Sequence, residues 1–137
     1  MMTEKELILQ AIKASKNAYS PYSNYQVGSA LLCKNGKIYC GCNIESATYS
    51  PTNCAERTAF FKAISEGEKD FDMIAVVGGQ KGKTRDTYFY PCGVCRQVMA
   101  EFCDEDFKIV IAKSEEDFEV ITLKELLPKI IKPKKCD

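Results

Sequence analysis

Residues 71–79, Phe71-Asp72-Met73-Ile74-Ala75-Val76-Val77-Gly78-Gly79, form a nearly continuous apolar run closed by two glycines. A strand that is apolar at both parities can leave neither face in water, so it belongs in a sheet covered by helices on both sides. The flanking sequence supplies such covers. Thr3 followed by Glu6 reads as a capping box, and Leu7, Ile8, Ala11, Ile12 and Ala14 recur at helical spacing, which predicts a helix through about Asn17. The Ser20-Pro21-Tyr22-Ser23-Asn24 stretch breaks it. Val27 to Cys33 and Lys37 to Cys42 then form two extended runs about Asn35-Gly36, the pair expected of a type I′ hairpin.

A polar stretch from Asn43 to Thr52 leads into Asn53-Cys54-Ala55-Glu56, a second capping-box pattern, and a helix to about Glu66 that Gly67 ends. Lys81 to Tyr90 reads as a loop. Pro91 suits the first turn of a helix over Cys92 to about Cys103. Phe107 to Ala112 is a fourth strand, Phe118 to Ile121 a fifth, and Thr122 with Glu125 opens a short last helix. This order predicts an α/β fold: a three-layer sandwich with a mixed five-stranded sheet and helices on both faces. One antiparallel hairpin and parallel crossovers through the two middle helices are expected. At 137 residues, without internal repeat or linker, the chain reads as one domain over 1–137.

Composition narrows the chemistry. There is no histidine, which excludes Ser-His and Cys-His nucleophile pairs and every His-based metal site. Acid-base work must fall to carboxylates, Lys, Tyr or Cys. With 19 Lys+Arg against 19 Asp+Glu the chain lacks the cationic excess of proteins that bind extended nucleic acid. The basic stretch Lys129 to Lys135 reads as a solvated tail. Neither a secretory leader nor an apolar run approaching the roughly 18 residues of a membrane span is visible, so no membrane partner is expected. The expected compartment is a reducing cytoplasm, where eight cysteines more often bind metal or stay as thiols than form bridges.

Two segments carry most of that chemistry: Cys54-Ala55-Glu56 opening one helix and Pro91-Cys92-Gly93-Val94-Cys95 opening another. Helix N-termini favour the thiolate form of cysteine. In an α/β sheet the N-termini of successive crossover helices share the edge beyond the strand carboxyl ends, where Cys54 can join Cys92 and Cys95. Three ligands are informative, because a closed structural zinc site takes four and a catalytic one keeps a position for water. Arg57 and Arg96 are the candidate cations to offset the sulfur charge. Glu56 reads either as a capping carboxylate or, sharing a stripe with Phe60, Ala63 and Ile64, as a core-facing acid whose burial needs a chemical reason. Alternatives for the thiols are a C-x-x-C redox pair, or a structural Cys₄ zinc site closed by Cys40 and Cys42 with Cys92 and Cys95. Cys33, Cys103 and Cys136 read as small hydrophobes.

The Cys-x-Glu and Pro-Cys-x-x-Cys strings resemble the zinc-deaminase pattern. Asn43-Ile44-Glu45, Asn53 to Ala59 and Pro91 to Gln97 together resemble the small homotetrameric cytidine deaminases, a resemblance running from Ser20 to about Pro128. It implies one zinc per subunit on Cys54, Cys92 and Cys95, with Glu56 as proton shuttle, and hydrolytic conversion of cytidine and deoxycytidine to uridine and deoxyuridine in pyrimidine salvage. It further implies Asn43 and Glu45 on the ribose, the Ala55 backbone and the Tyr25 ring on the base, and Arg57 neutralising the thiolates. Ala47 and Tyr49 would face a neighbouring subunit's active site. Tyr25, Gln26, Tyr90 and Ile131 depart from the family's usual residues. A deaminase of a modified cytosine nucleoside such as blasticidin S would share the zinc pattern, and a Cys₄ binding module would not be an enzyme.

Overall fold

The computed structural model describes residues 2–129. Ile131, Cys136 and most of the basic tail lie outside them. Helix α1 (Glu4–Ser15) is capped by Thr3 and Glu6 as expected and stops two residues before Asn17. Strand β1 (Tyr25–Cys33) and strand β2 (Ile38–Cys42) follow, then α2 (Ala55–Ser65), β3 (Phe71–Gln80), α3 (Gly93–Phe102), β4 (Lys108–Ser114), β5 (Asp117–Thr122) and α4 (Leu123–Leu126). Pro91 lies just outside α3, whose N-cap is Cys92. Thr122 and Glu125 form a reciprocal capping box at α4.

The five strands lie in the order β2-β1-β3-β4-β5. β1 pairs antiparallel with β2 and with β3, β3 pairs parallel with β4, and β4 pairs antiparallel with β5. The sheet therefore holds two hairpins, β1/β2 and β4/β5, not the single one expected. Both crossovers join parallel strands, but the α2 crossover passes over β1, which lies between β2 and β3.

Period-two alternation splits the core. Leu31, Ile74, Val76, Ile109 and Ile111 face α2, α3 and α4. Ala30, Met73, Ala75, Val77 and Val110 face α1. β3 is buried on both faces because it is the central strand of these layers. Phe60 of α2 is fully buried, with its ring 5.2 Å from Phe71 and 6.0 Å from Phe107.

The β1/β2 turn departs from type I′, which needs positive φ at both central residues. Gly36 has φ +92, but Asn35 does not reach positive φ. The Gly36 N–H donates to the Cys33 carbonyl at 3.0 Å and the Cys33 N–H to the Lys37 carbonyl at 2.9 Å, closing a three-residue loop with a glycine bulge. The Asn35 side chain holds this form, accepting from the Lys37 N–H at 3.0 Å and donating to Glu68 at 2.9 Å.

Candidate active site

The site is built where α2 and α3 begin. Gly41 of β2 lets α2 approach: a Cβ there would stand 2.3 Å from the Ala55 carbonyl oxygen and 2.7 Å from the Ala59 nitrogen. The buried Ser29 hydroxyl of β1 donates to that Ala55 carbonyl at 2.8 Å. Thr58 donates to the Cys42 or Cys54 carbonyl, each at 3.1 Å. These contacts tie the first turn of α2 to two strands. Cys54 caps the helix by backbone conformation alone, without a side-chain cap bond. The capping box expected of Asn53 and Glu56 is absent, because the helix starts one residue later with Cys54 as N-cap, and the Asn53 amide donates to Thr58 at 3.2 Å. Glu56 is thereby left without a capping role.

Across the cleft, Cys92 caps α3, and its sulfur accepts from the Cys95 N–H at 3.5 Å. The Cys92 sulfur lies 3.7 Å from Cys54 Sγ and 3.5 Å from Cys95 Sγ, and all three sulfurs fall within 4.8 Å of one another. A tetrahedral zinc with bonds of about 2.3 Å sets its sulfurs roughly 3.8 Å apart, so this trio fits the ion. Arg57 donates to Cys54 Sγ at 3.2 Å. Hydrogen bonds from Cys95 and then from Arg57 and Cys92 outweigh burial and draw the Cys54 thiol from 9.0 to about 5. Cys95 is pushed upward, first by its hydrogen bond to Cys54 and then by burial.

One expectation and one alternative about neighbouring residues fail. Arg96 is spent on the Pro91 carbonyl at 2.8 Å and the Leu126 carbonyl at 2.9 Å, strapping α4 to the start of α3. Cys40 and Cys42 are not near the trio. They line a separate cleft of about 270 Å³ with Lys13 and Lys62, between α1 and α2. The trio is the one cluster of potential metal ligands among the described residues, which removes the Cys₄ alternative. Cys33 and Cys103 are buried, as expected of small hydrophobes.

Glu56 is 1% exposed, and neither carboxylate oxygen has a hydrogen-bond partner among the described residues. Burial raises its carboxyl to about 7. Glu56 lines a cavity of about 330 Å³ together with Cys54, Cys92, Tyr25, Asn43 and Glu45. Asn43 is locked by two bonds to β1, accepting from the Val27 N–H and donating to the Tyr25 carbonyl, both at 2.9 Å. Glu45 accepts from the Tyr22 and Ser23 N–H groups at 3.1 Å and from the Ser23 hydroxyl. The Ser23 hydroxyl foremost, with those N–H groups and against burial, holds the Glu45 carboxyl below its ordinary range.

Ala47 and Tyr49 stand apart from this chain's own cavity. Both are exposed, and Tyr49 is 79% exposed with φ 63. The cavity also takes Val27 and Phe89, which sequence reasoning missed. Val27 carried a signal in its strand parity, but Phe89 sits in a stretch that reads as polar loop. No helix of the described residues is long and apolar enough to cross a membrane.

Residues 1–111 match the family model of the cytidine and deoxycytidylate deaminase zinc-binding region. Over 127 residues the chain is 51% identical to a cytidine deaminase of Halalkalibacterium halodurans, covering 93% of this chain and 92% of that protein. It is 48% identical over 127 residues to a cytidine deaminase of Sporosarcina psychrophila, covering 93% and 90%. The crystal structure of cytidine deaminase from Burkholderia pseudomallei superposes with a TM-score of 0.85 at 42% identity, covering 95% of this chain and all of that one.

Proposed function

The chain belongs to the cytidine and deoxycytidylate deaminase zinc-binding family, and from that premise we propose that it hydrolyses cytidine and deoxycytidine to uridine and deoxyuridine with release of ammonia. One observation carries the reading: a fully buried carboxylate without a protein partner shares a cavity wall with thiols of the zinc-sized sulfur trio. Cys54, Cys92 and Cys95 hold one zinc per chain. When bound, zinc on three thiolates supplies an acidified water. The Arg57 contact on Cys54 offsets the charge of the sulfurs, which would otherwise blunt that acidification.

Glu56 moves the protons. A carboxyl near 7 can shuttle protons at neutral pH: it takes one from the attacking water and passes it to N3 of the ring, then takes a second from the hydroxyl now on C4 and passes it to the departing amine. The C4–O bond forms, the C4–N4 bond breaks and ammonia leaves. Burial keeps bulk water from competing for the carboxylate.

The Tyr25 ring flanks the base, and the Ala55 backbone fixes its edge. Asn43 and Glu45 bind the ribose, chiefly its 3′-hydroxyl. A carboxylate has about four acceptor sites, and three donors already hold Glu45, so the group is oriented and still able to accept a ribose hydroxyl. Asn43 is fixed to β1 through two bonds and keeps a second amide proton free to donate. Ala47 and Tyr49 serve a neighbouring site in a homotetramer. Pyrimidine salvage in the cytoplasm is the setting this reaction suits. The test is the fall in ultraviolet absorbance as purified protein meets cytidine, paired with zinc measured per chain. Turnover with one zinc per chain is expected; zinc without turnover overturns the reading.

A further inference from the structure

Phe89 occupies a slot that the sheet leaves for it. Gly78 of β3 pairs with Val27 of β1, and a Cβ at Gly78 would stand 2.7 Å from Phe89 Cγ. The Phe89 side chain therefore packs against the strand where a side chain is missing. Its centroid is 5.7 Å from that of Tyr25, at an interplanar angle of 36°. Phe89, Tyr25 and Val27 form one apolar wall of the cavity that Glu56 and Cys92 also line.

Backbone alternation explains how a loop presents an inward ring. On either side of Phe89, the Tyr88 hydroxyl donates to Asp117 at 2.5 Å and the Tyr90 hydroxyl donates to Glu119. Asp117 and Glu119 are two residues apart on β5, an edge strand, so both acceptors stand on one face. Lys113 adds a cation over the Tyr88 ring at 4.6 Å. Two hydroxyl anchors turned to β5 thus bracket one ring turned to the cavity.

We propose that Phe89 is a substrate-contacting residue that extends the aromatic wall of the base pocket beside Tyr25, and that Tyr88 and Tyr90 are positioning residues holding it there from β5. The inference rests on the cytidine reading above, which assigns the base to the Tyr25 end of the cavity. The ligand class is a planar pyrimidine ring, gripped by aromatic surface in addition to its polar edge.

Steady-state kinetics on the zinc-loaded enzyme tests it. Phe89→Ala raises KM for cytidine on the order of tenfold, the scale of a lost base–aromatic contact, while kcat falls less and zinc per chain stays at the wild-type value. Phe89→Leu, which keeps most of the volume, gives a smaller rise and covers the case in which the alanine variant fails to fold. Tyr90→Phe raises KM about threefold, a lost hydrogen bond acting at one remove. Glu119→Gln, which keeps an acceptor, restores wild-type behaviour where Glu119→Leu does not. In the Phe89→Ala/Tyr90→Phe double variant the Tyr90→Phe effect vanishes, because its lever is gone. Unchanged KM in both Phe89 variants overturns the contact, and a Tyr90→Phe effect that persists in full without Phe89 overturns the positioning role. A wild-type protein inert toward cytidine instead overturns the deaminase reading, and this inference with it.

Discussion

Glu56 is the second residue of α2, its oxygens buried and unpaired and its carboxyl raised to about 7 by burial. Replacing it with Gln keeps the shape and removes the proton acceptor. Turnover of Glu56→Gln is expected to fall by roughly 10²–10⁴ or more, with zinc per chain unchanged, and ammonia release beside metal content measures both. Activity within a few-fold of wild type would mean that some other group carries the protons. Its orientation was legible because Phe60, Ala63 and Ile64 share its stripe. The capping-box reading shared the same letters and failed because α2 starts one residue later than that box requires, with Cys54 as N-cap and Glu56 as its second residue. Glu45 gives a second residue-scale expectation. Its folded carboxyl lies below the ordinary value of 4.5, so the stability it contributes is present above that value and is lost as pH falls through the folded one. The melting-temperature deficit of Glu45→Gln should therefore be full at pH 7 and shrink below about pH 4. An equal deficit at pH 3 and pH 7 would show that the charge of Glu45 adds nothing to holding Tyr22 and Ser23.

Helix α2 carries the proposed proton carrier Glu56 on its first turn and a proposed zinc ligand, Cys54, as its N-cap, so its distance from the sheet sets their placement. Gly41 fixes that distance, and a methyl group there collides with backbone atoms of Ala55 and Ala59 that cannot rotate away. Gly41→Ala is expected to cost about 1–3 kcal/mol of stability and to lower zinc affinity and turnover together, as thermal melts, chelator competition and the absorbance assay would report. Loss of stability with zinc affinity intact would place the strain elsewhere. The elements themselves were readable because period and burial agree: the apolar run of β3 demanded two helical layers, and Thr3 and Thr122 announced their caps. The β1/β2 turn misled because Asn35-Gly36 satisfies type I′ by residue type, whereas a long-range bond from Asn35 to Glu68 selects another form. The Cys40/Cys42 alternative shared letters with the true cluster but not the helix N-termini that gather it.

At the scale of the whole molecule, the cavity of one chain is lined by residues from β1, the loop after β2, and the segments opening α2 and α3, while Tyr49 projects into solvent at 79% exposure. Phe89 belongs to the same scale: its role depends on Gly78 beneath it and on β5 beyond it, contacts between segments that no local spacing encodes. A left-handed backbone at Tyr49, rare for a bulky residue, is a strain a free loop would relax, and the hydrogen bonds of the 46–52 turn hold it. If that ring serves a neighbouring site, its loss and the loss of Glu56 act on different active sites of one assembly. Tyr49→Ala alone should raise KM for cytidine several-fold, and Glu56→Gln alone should be nearly inert. Mixed assemblies, refolded or co-expressed from the two variants, contain sites with an intact Glu56 and a Tyr49 donated by the inert subunit. Their KM should move back toward wild type at those sites, in proportion to the fraction of the inert variant added. A KM that stays at the Tyr49→Ala value across all mixing ratios would assign Tyr49 to its own chain, or to no site at all.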